Sequence, residues 1–162
     1  MCALGQVNDG LALLTEGLSV IRATGTVLSV PFLLGLLADA HLRLGQPMEG
    51  LSCMAEAAQL VDVTSERREE AHLHRLRGDL LDATGDHTGA EQSYERALAI
   101  SRRQGAKVFE LRAATSLARL RRDQDKPKEA RELLAPVYGW FTEGFDTRDL
   151  KEAKALLDEL SS

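Results

Sequence analysis

The stretch of this chain best equipped for chemistry is Gly85-Asp86-His87-Thr88-Gly89. Glycines let a backbone wrap around a phosphate, and Asp, His and Thr supply a carboxylate, an imidazole and a hydroxyl. A phosphate loop would also need a preceding strand and a following Gly-Lys-Ser/Thr run, and the sequence has neither. The competing reading is a tight turn between two helices, with Asp86 and His87 as exposed capping residues. His72 and His74 are two apart, so a helix points them in different directions. Glu70 and His74 are four apart and would share a face as a surface pair. One carboxylate and one imidazole fall short of a metal site. Cys53 lies beside Met54 and Ala57 on an apolar face and reads as an inert buried thiol, while Cys2 stands near the terminus. No Ser, His and Asp stand in the context that nucleophilic catalysis requires. The expectation is a non-enzymatic chain, with no catalytic residue, no metal and no cofactor.

Composition narrows the class. The 162 residues are 44% apolar, 28% charged and only 4% aromatic, a balance that suits one globular, helical domain. The net charge of −5 argues against nucleic acid as a partner. Two cysteines imply no disulfide framework, and a reducing cytoplasm is the simplest compartment. The most apolar run, Val27 to Ala38, is too short to span a bilayer and contains Pro31 and Gly35, so no membrane partner is expected. Charge is unevenly spread, since residues 1–60 hold only five acids and two arginines.

The elements that must position these side chains come from an internal repeat. Gly5, Gly45, Gly85 and Asp125 stand forty residues apart. In register behind them run Gly10, Gly50, Ala90 and Ala130, all small, and Leu14, Met54, Tyr94 and Leu134, all large. Gly17, Ala57, Ala97 and Val137 follow, and Ala38, Gly78 and Ala118 precede the last three anchors. Steps of four and three mark one face of an α-helix. Small residues suit close backbone approach, and large ones fill the gap beside it. Each unit therefore reads as a helix pair joined by a turn at the anchor. Gly45 and Gly85 fit helix ends where positive φ is favoured. Pro47 and Pro127 fit helix starts, and Thr88 with Glu91 reads as a capping box.

The pattern predicts helices over 8–24, 28–44, 47–62, 66–84, 87–104, 107–124, 127–142 and 147–160. Residues 1–24 form a half repeat, 25–64, 65–104 and 105–144 are full repeats, and 145–162 are a capping helix, all in one domain. In the last helix Leu150, Ala153, Leu157 and Leu160 make an apolar stripe, with Lys151, Glu152, Asp158 and Glu159 outside. Tyr138, Trp140, Phe141 and Phe145 are expected to pack beneath it. The run Glu66-Arg67-Arg68-Glu69-Glu70 reads as a solvated helix start.

At Gly78, Gly85, Ala90, Tyr94 and Ala97 the chain resembles a tetratricopeptide repeat, whose usual length is about 34 residues. The match is strongest over 71–104 and extends over 31–64 and 111–142. The early Trp of that family is replaced by Leu34, His74 and Ala114. The resemblance implies an all-α, right-handed superhelical solenoid of αα-hairpins, here with forty-residue repeats. Through the tail from Glu129 to Thr147 and the run Asp149-Leu150-Lys151-Glu152-Ala153-Lys154, residues 70–160 are also similar to the C-terminal region of bacterial multidomain signalling proteins that join a cyclase or DNA-binding domain and an ATPase to such repeats. That likeness lies in non-catalytic sequence and implies a regulatory role in a bacterial cytoplasm.

In the tetratricopeptide family certain first-helix positions line a concave face. The matching residues are Phe32, Asp39, His72, Arg75, Asp79, Asp82, Arg112, Thr115, Arg119 and Arg122. Some family members clamp a peptide carboxylate with Lys and Asn, where this chain has Gly35, Asp39, Arg75, Asp79, Thr115 and Arg119, so that clamp is absent. The resemblance implies a scaffold binding a protein or peptide. An alternative is a sensory module holding a small anionic ligand near Arg112, Arg119 and Arg122. The same charges would also serve merely to keep the groove soluble, and the residues alone leave these readings open. The half repeat at the N-terminus would leave Leu11, Leu14, Leu18 and Ile21 half uncovered, which predicts self-association through that end.

Overall fold

The computed structural model describes residues 2–64 and 67–161 and folds them into eight helices, with no strand among them. They are α1 (Cys2–Ala23), α2 (Val30–Arg43), α3 (Pro47–Thr64), α4 (Glu70–Thr84), α5 (His87–Gln104), α6 (Lys107–Asp123), α7 (Pro127–Gly139) and α8 (Arg148–Glu159). The starts of α3, α5, α6 and α7 fall where the repeat places them. α1 differs: it runs through Gly5, so that anchor is inside a helix and marks no turn. α7 ends at Gly139, short of the expected 142, with Pro136 inside its last turn. Glu66 and the Cys2 side chain lie outside the described residues.

The turns share one hydrogen-bond scheme. Gly45, Gly85, Gly105 and Asp125 all have positive φ, at 72°, 87°, 67° and 59°. After α4, Gly85 N–H donates to Asp82 and Asp86 N–H donates to Leu81. After α6, Asp125 N–H donates to Arg122 and Lys126 N–H to Arg121, and the ends of α2 and α5 repeat the pair. These bonds satisfy carbonyls that a helix end leaves free, and they need a left-handed residue. The repeat register does not single out Gly105, which stands twenty residues from the anchors. α5 is capped by Asp86, whose Oδ1 accepts from Gly89 N–H at 2.9 Å. The expected capping box at Thr88 does not form, because Thr88 is already inside the first turn.

Helix pairs pack through the small-residue columns. A Cβ on Gly50 would lie 2.5 Å from Leu80 Cδ2, and one on Gly78 would lie 2.4 Å from the Tyr94 ring. α4 packs on α5, α2 on α3 and α6 on α7, and the first helices α2, α4, α6 and α8 also touch in succession. The result is a helical-repeat solenoid with two apolar clusters, one around α1–α4 and one around α5–α8. α8 closes the second cluster with Leu150, Ala153 and Leu156, while Leu157 and Leu160 are half-buried beside them. Tyr138 and Phe141 pack against this cluster as expected. Trp140 does not: it is 58% exposed, edge-on to Phe141, with Lys107 Nζ 5.4 Å from its ring centroid. Glu70 also departs from its expected surface position. It is buried, and Arg67 Nη1 donates to it at 3.1 Å.

Candidate functional site: a charged groove along the first helices

Stacking α2, α4, α6 and α8 side by side leaves a groove of about 440 Å³. Asp39, His72, Arg75, Arg112, Thr115 and Arg119 of the expected concave face are brought together in its lining. Asp79 lies behind Arg75, with which it pairs, and its Oδ1 accepts from the Tyr94 hydroxyl at 2.8 Å. Phe32 is half exposed. Asp82 turns toward the α4–α5 connection, where its Oδ1 lies 2.7 Å from His87 Nδ1. Arg122 reaches α8, where its Nη1 donates to Glu159 at 3.0 Å.

Five arginines and three carboxylates line the groove, and most are held in pairs. Arg43 Nε donates to Asp39 at 2.7 Å, and Arg112 Nε to Asp149 at 2.9 Å. Arg119 Nη2 donates to Glu152 at 2.9 Å, and Arg148 Nε donates to the other oxygen of Glu152 at 2.6 Å. Glu152 is thus shared by two arginines, and the pairs from Arg112 and Arg119 fasten α6 to α8. Such half-exposed pairs add little stability, but they fix where the guanidinium groups stand. The two bonds pull the Glu152 carboxyl below its ordinary value, Arg148 most and Arg119 next.

The floor is less satisfied. The His72 ring stacks on Phe109 at 6.0 Å between centroids, and Arg112 lies 5.9 Å from the same ring. Burial, then Arg75 and Arg112, hold the His72 imidazole down to about 4, against a weaker pull from Asp39. Its buried Nδ1 and the buried Nε of Arg75 have no hydrogen-bond partner among the described residues. Burial also raises the Asp79 carboxyl, which outweighs Arg75 and the hydroxyls of Tyr94 and Ser116. The Thr115 hydroxyl donates to the Leu111 carbonyl at 2.8 Å.

Sequence reasoning missed the contribution of α8. Arg148, Asp149 and Glu152 line the groove. A signal was present, because Phe32, His72, Arg112 and Glu152 stand at intervals of forty. The apolar stripe of α8 points to a cap, yet the helix also occupies the place of a fourth first helix. Among the described residues, no group of three His, Cys, Asp or Glu could hold a metal ion, and no helix is long and apolar enough to cross a membrane.

Residues 29–103 match the tetratricopeptide-repeat family, a span that covers α2 to α5. No curated protein matches the chain. Two crystal structures share its fold: the nearly identical TPR-like repeats of a provisionally assigned kinesin light chain from Podosopora anserina, and a glutamine-to-methionine variant of the same protein. The first is 21% identical with a TM-score of 0.72, covering 96% of this chain and 78% of that one. The second is 21% identical with a TM-score of 0.74, covering 96% and 77%. Over α2 to α5 in sequence, and over nearly its whole length in fold, this chain is similar to proteins built of tetratricopeptide repeats.

Proposed function

We propose that the chain is a non-enzymatic scaffold that binds a protein or peptide segment along the groove of its first helices. The carrying observation is the groove lining itself. Four helices present guanidinium groups fixed by pairing, alternating with carboxylates, on a floor with two unpartnered polar atoms. An extended segment of mixed charge would meet complementary groups at each helix. The likeness of residues 70–160 to bacterial signalling proteins supports a regulatory place at the end of a larger cytoplasmic protein. A second reading is a small anionic ligand, favoured by the unpartnered Nε of Arg75 beside Arg112 and Arg119.

Peptide display against the whole chain tests the first reading. Selected peptides should lose about tenfold or more in affinity when Arg112 and Arg119 are both replaced by Ala, because each loses a charge-assisted bond. Equal binding by the folded double variant would sink it. Thermal-shift screening of metabolites separates the second reading, which requires anions alone to raise the melting temperature.

A further inference from the structure

The forty-residue register sets two junctions side by side. One joins α3 to α4 and α5, the other joins α5 to α6 and α7. At the second junction Tyr94, Leu98 and Leu117 are buried, and the space left beside Arg102, Lys107 and Glu110 is only about 260 Å³. Forty residues earlier the same positions hold Met54, Ala58 and Arg77. A cleft of about 560 Å³ opens there, walled by Leu51, Met54, Val61, Leu73 and Leu81. It lies on the side of α4 bearing Glu70, His74 and Arg77, away from His72, Arg75 and Asp79, which face the groove or its floor.

The junctions also differ in one charge. Glu110 is buried at the start of α6 and accepts from Arg102 Nε at 2.9 Å and Lys107 Nζ at 2.8 Å. Its counterpart Glu70 is 8% exposed and accepts from Arg67, the counterpart of Lys107, at 3.1 Å. The counterpart of Arg102 is Asp62, which borders the cleft. One carboxylate oxygen, Glu70 Oε2, is left buried with no hydrogen-bond partner among the described residues. A buried acceptor of this kind costs free energy until a donor reaches it. Arg77 and Arg96 also border the cleft, but both are exposed. Their stems line it while their charges remain in water.

We infer that this cleft is a second binding site, which takes a small molecule with an apolar body and one cationic nitrogen. The nitrogen occupies the place that the Arg102 guanidinium takes at the other junction and donates to Glu70 Oε2, with Asp62 beside it. The apolar body lies on Met54, Val61 and Leu73. The site is independent of the groove, since its polar groups lie on the opposite side of α4.

The test uses 4-phenylbutylammonium, with 4-phenylbutanol and 4-phenylbutanoate as neutral and anionic matches, followed by amide NMR shifts on the whole chain. The ammonium should bind more tightly than either match and shift the amides of Ala58, Leu73 and His74. Glu70→Gln should weaken it by about tenfold or more, because the charge-assisted bond is lost. Asp62→Arg should abolish binding by supplying the missing guanidinium from within the chain. Ala58→Leu should weaken it by about tenfold or more by narrowing the cleft where Leu98 narrows the other, so the test survives if Glu70→Gln fails to fold. Absence of binding at millimolar ammonium, equal binding of the alcohol or carboxylate, or undiminished binding by the folded variants would each overturn the inference.

Discussion

The two ends of the array use the same register to different depth. In the column Leu14, Met54, Tyr94, Leu134, the first residue is half-buried and the last is fully buried, at 0% exposure. In the small-residue columns, a Cβ on Gly10 or Gly17 would meet nothing within 4 Å, whereas one on Gly50 or Gly78 would strike a neighbour's side chain. α1 rests on α2 by one face, and Leu13 and Val20 are exposed on it. α6 is covered by α4, α5, α7 and α8. Repetition of sequence therefore does not fix burial. A repeat unit is stabilised by its neighbours, so equivalent residues carry unequal weight along a solenoid.

The largest test of that difference is truncation within one column. Leu134→Ala should cost about 3 kcal/mol, since the lost side chain leaves a cavity between α6, α7 and α8. Leu14→Ala should cost about 1 kcal/mol, because half of that side chain already meets water. Urea denaturation of both variants measures the gap, and equal losses would mean that α1 is packed as tightly as α7.

Glycine exchange sharpens the comparison through its sign. Gly78→Ala should destabilise by about 2 kcal/mol, because the Tyr94 ring cannot withdraw without leaving Asp79. Gly17→Ala should stabilise by roughly 0.5 to 1 kcal/mol, since it improves helix propensity and meets open space. The sequence offers both glycines as close-approach positions, and only geometry separates them. Spacing reveals which face of a helix is small, but not whether another backbone arrives there. The repeat, the starts of α3, α5, α6 and α7, and six residues of the groove lining were legible because periodicity encodes them. The cleft was not, because it depends on the absence of bulk at Ala58 and of a cation at residue 62. Trp140 departs from expectation for a related reason: aromatic content alone does not say which rings find a covered surface.

Acid titration tests the junction whose carboxylate, Glu110, has both of its cations. The cations around Glu110 lower its carboxyl below the ordinary value of 4.5, overcoming burial, which is the largest single influence and acts to raise it. A carboxyl with a lowered folded value contributes stability above about pH 4.5, and that stability is lost as the pH falls through the folded value. Glu110→Gln should therefore cost about 1 kcal/mol at neutral pH, at the low end because Arg102 is half exposed. It should also flatten the fall in stability below pH 4.5. An unchanged acid limb would show that this carboxylate is not coupled to folding.

The smallest effect lies at the turns, and it carries the comparison to single residues. Asp125 adopts φ 59° where Gly45 and Gly85 adopt 72° and 87°, with the same two backbone bonds closing each turn. A side chain in the left-handed region costs roughly 1 kcal/mol, and Asp is among the residues that tolerate it best. Glycine removes that strain but loses more backbone entropy on folding, by roughly 0.5 kcal/mol or more. Asp125→Gly should therefore stabilise by about 0.5 kcal/mol, and Gly85→Asp should destabilise by a similar amount. Should Asp125→Gly instead destabilise, the Asp125 side chain would have to hold the α6–α7 turn itself, and the three turns would not be equivalent.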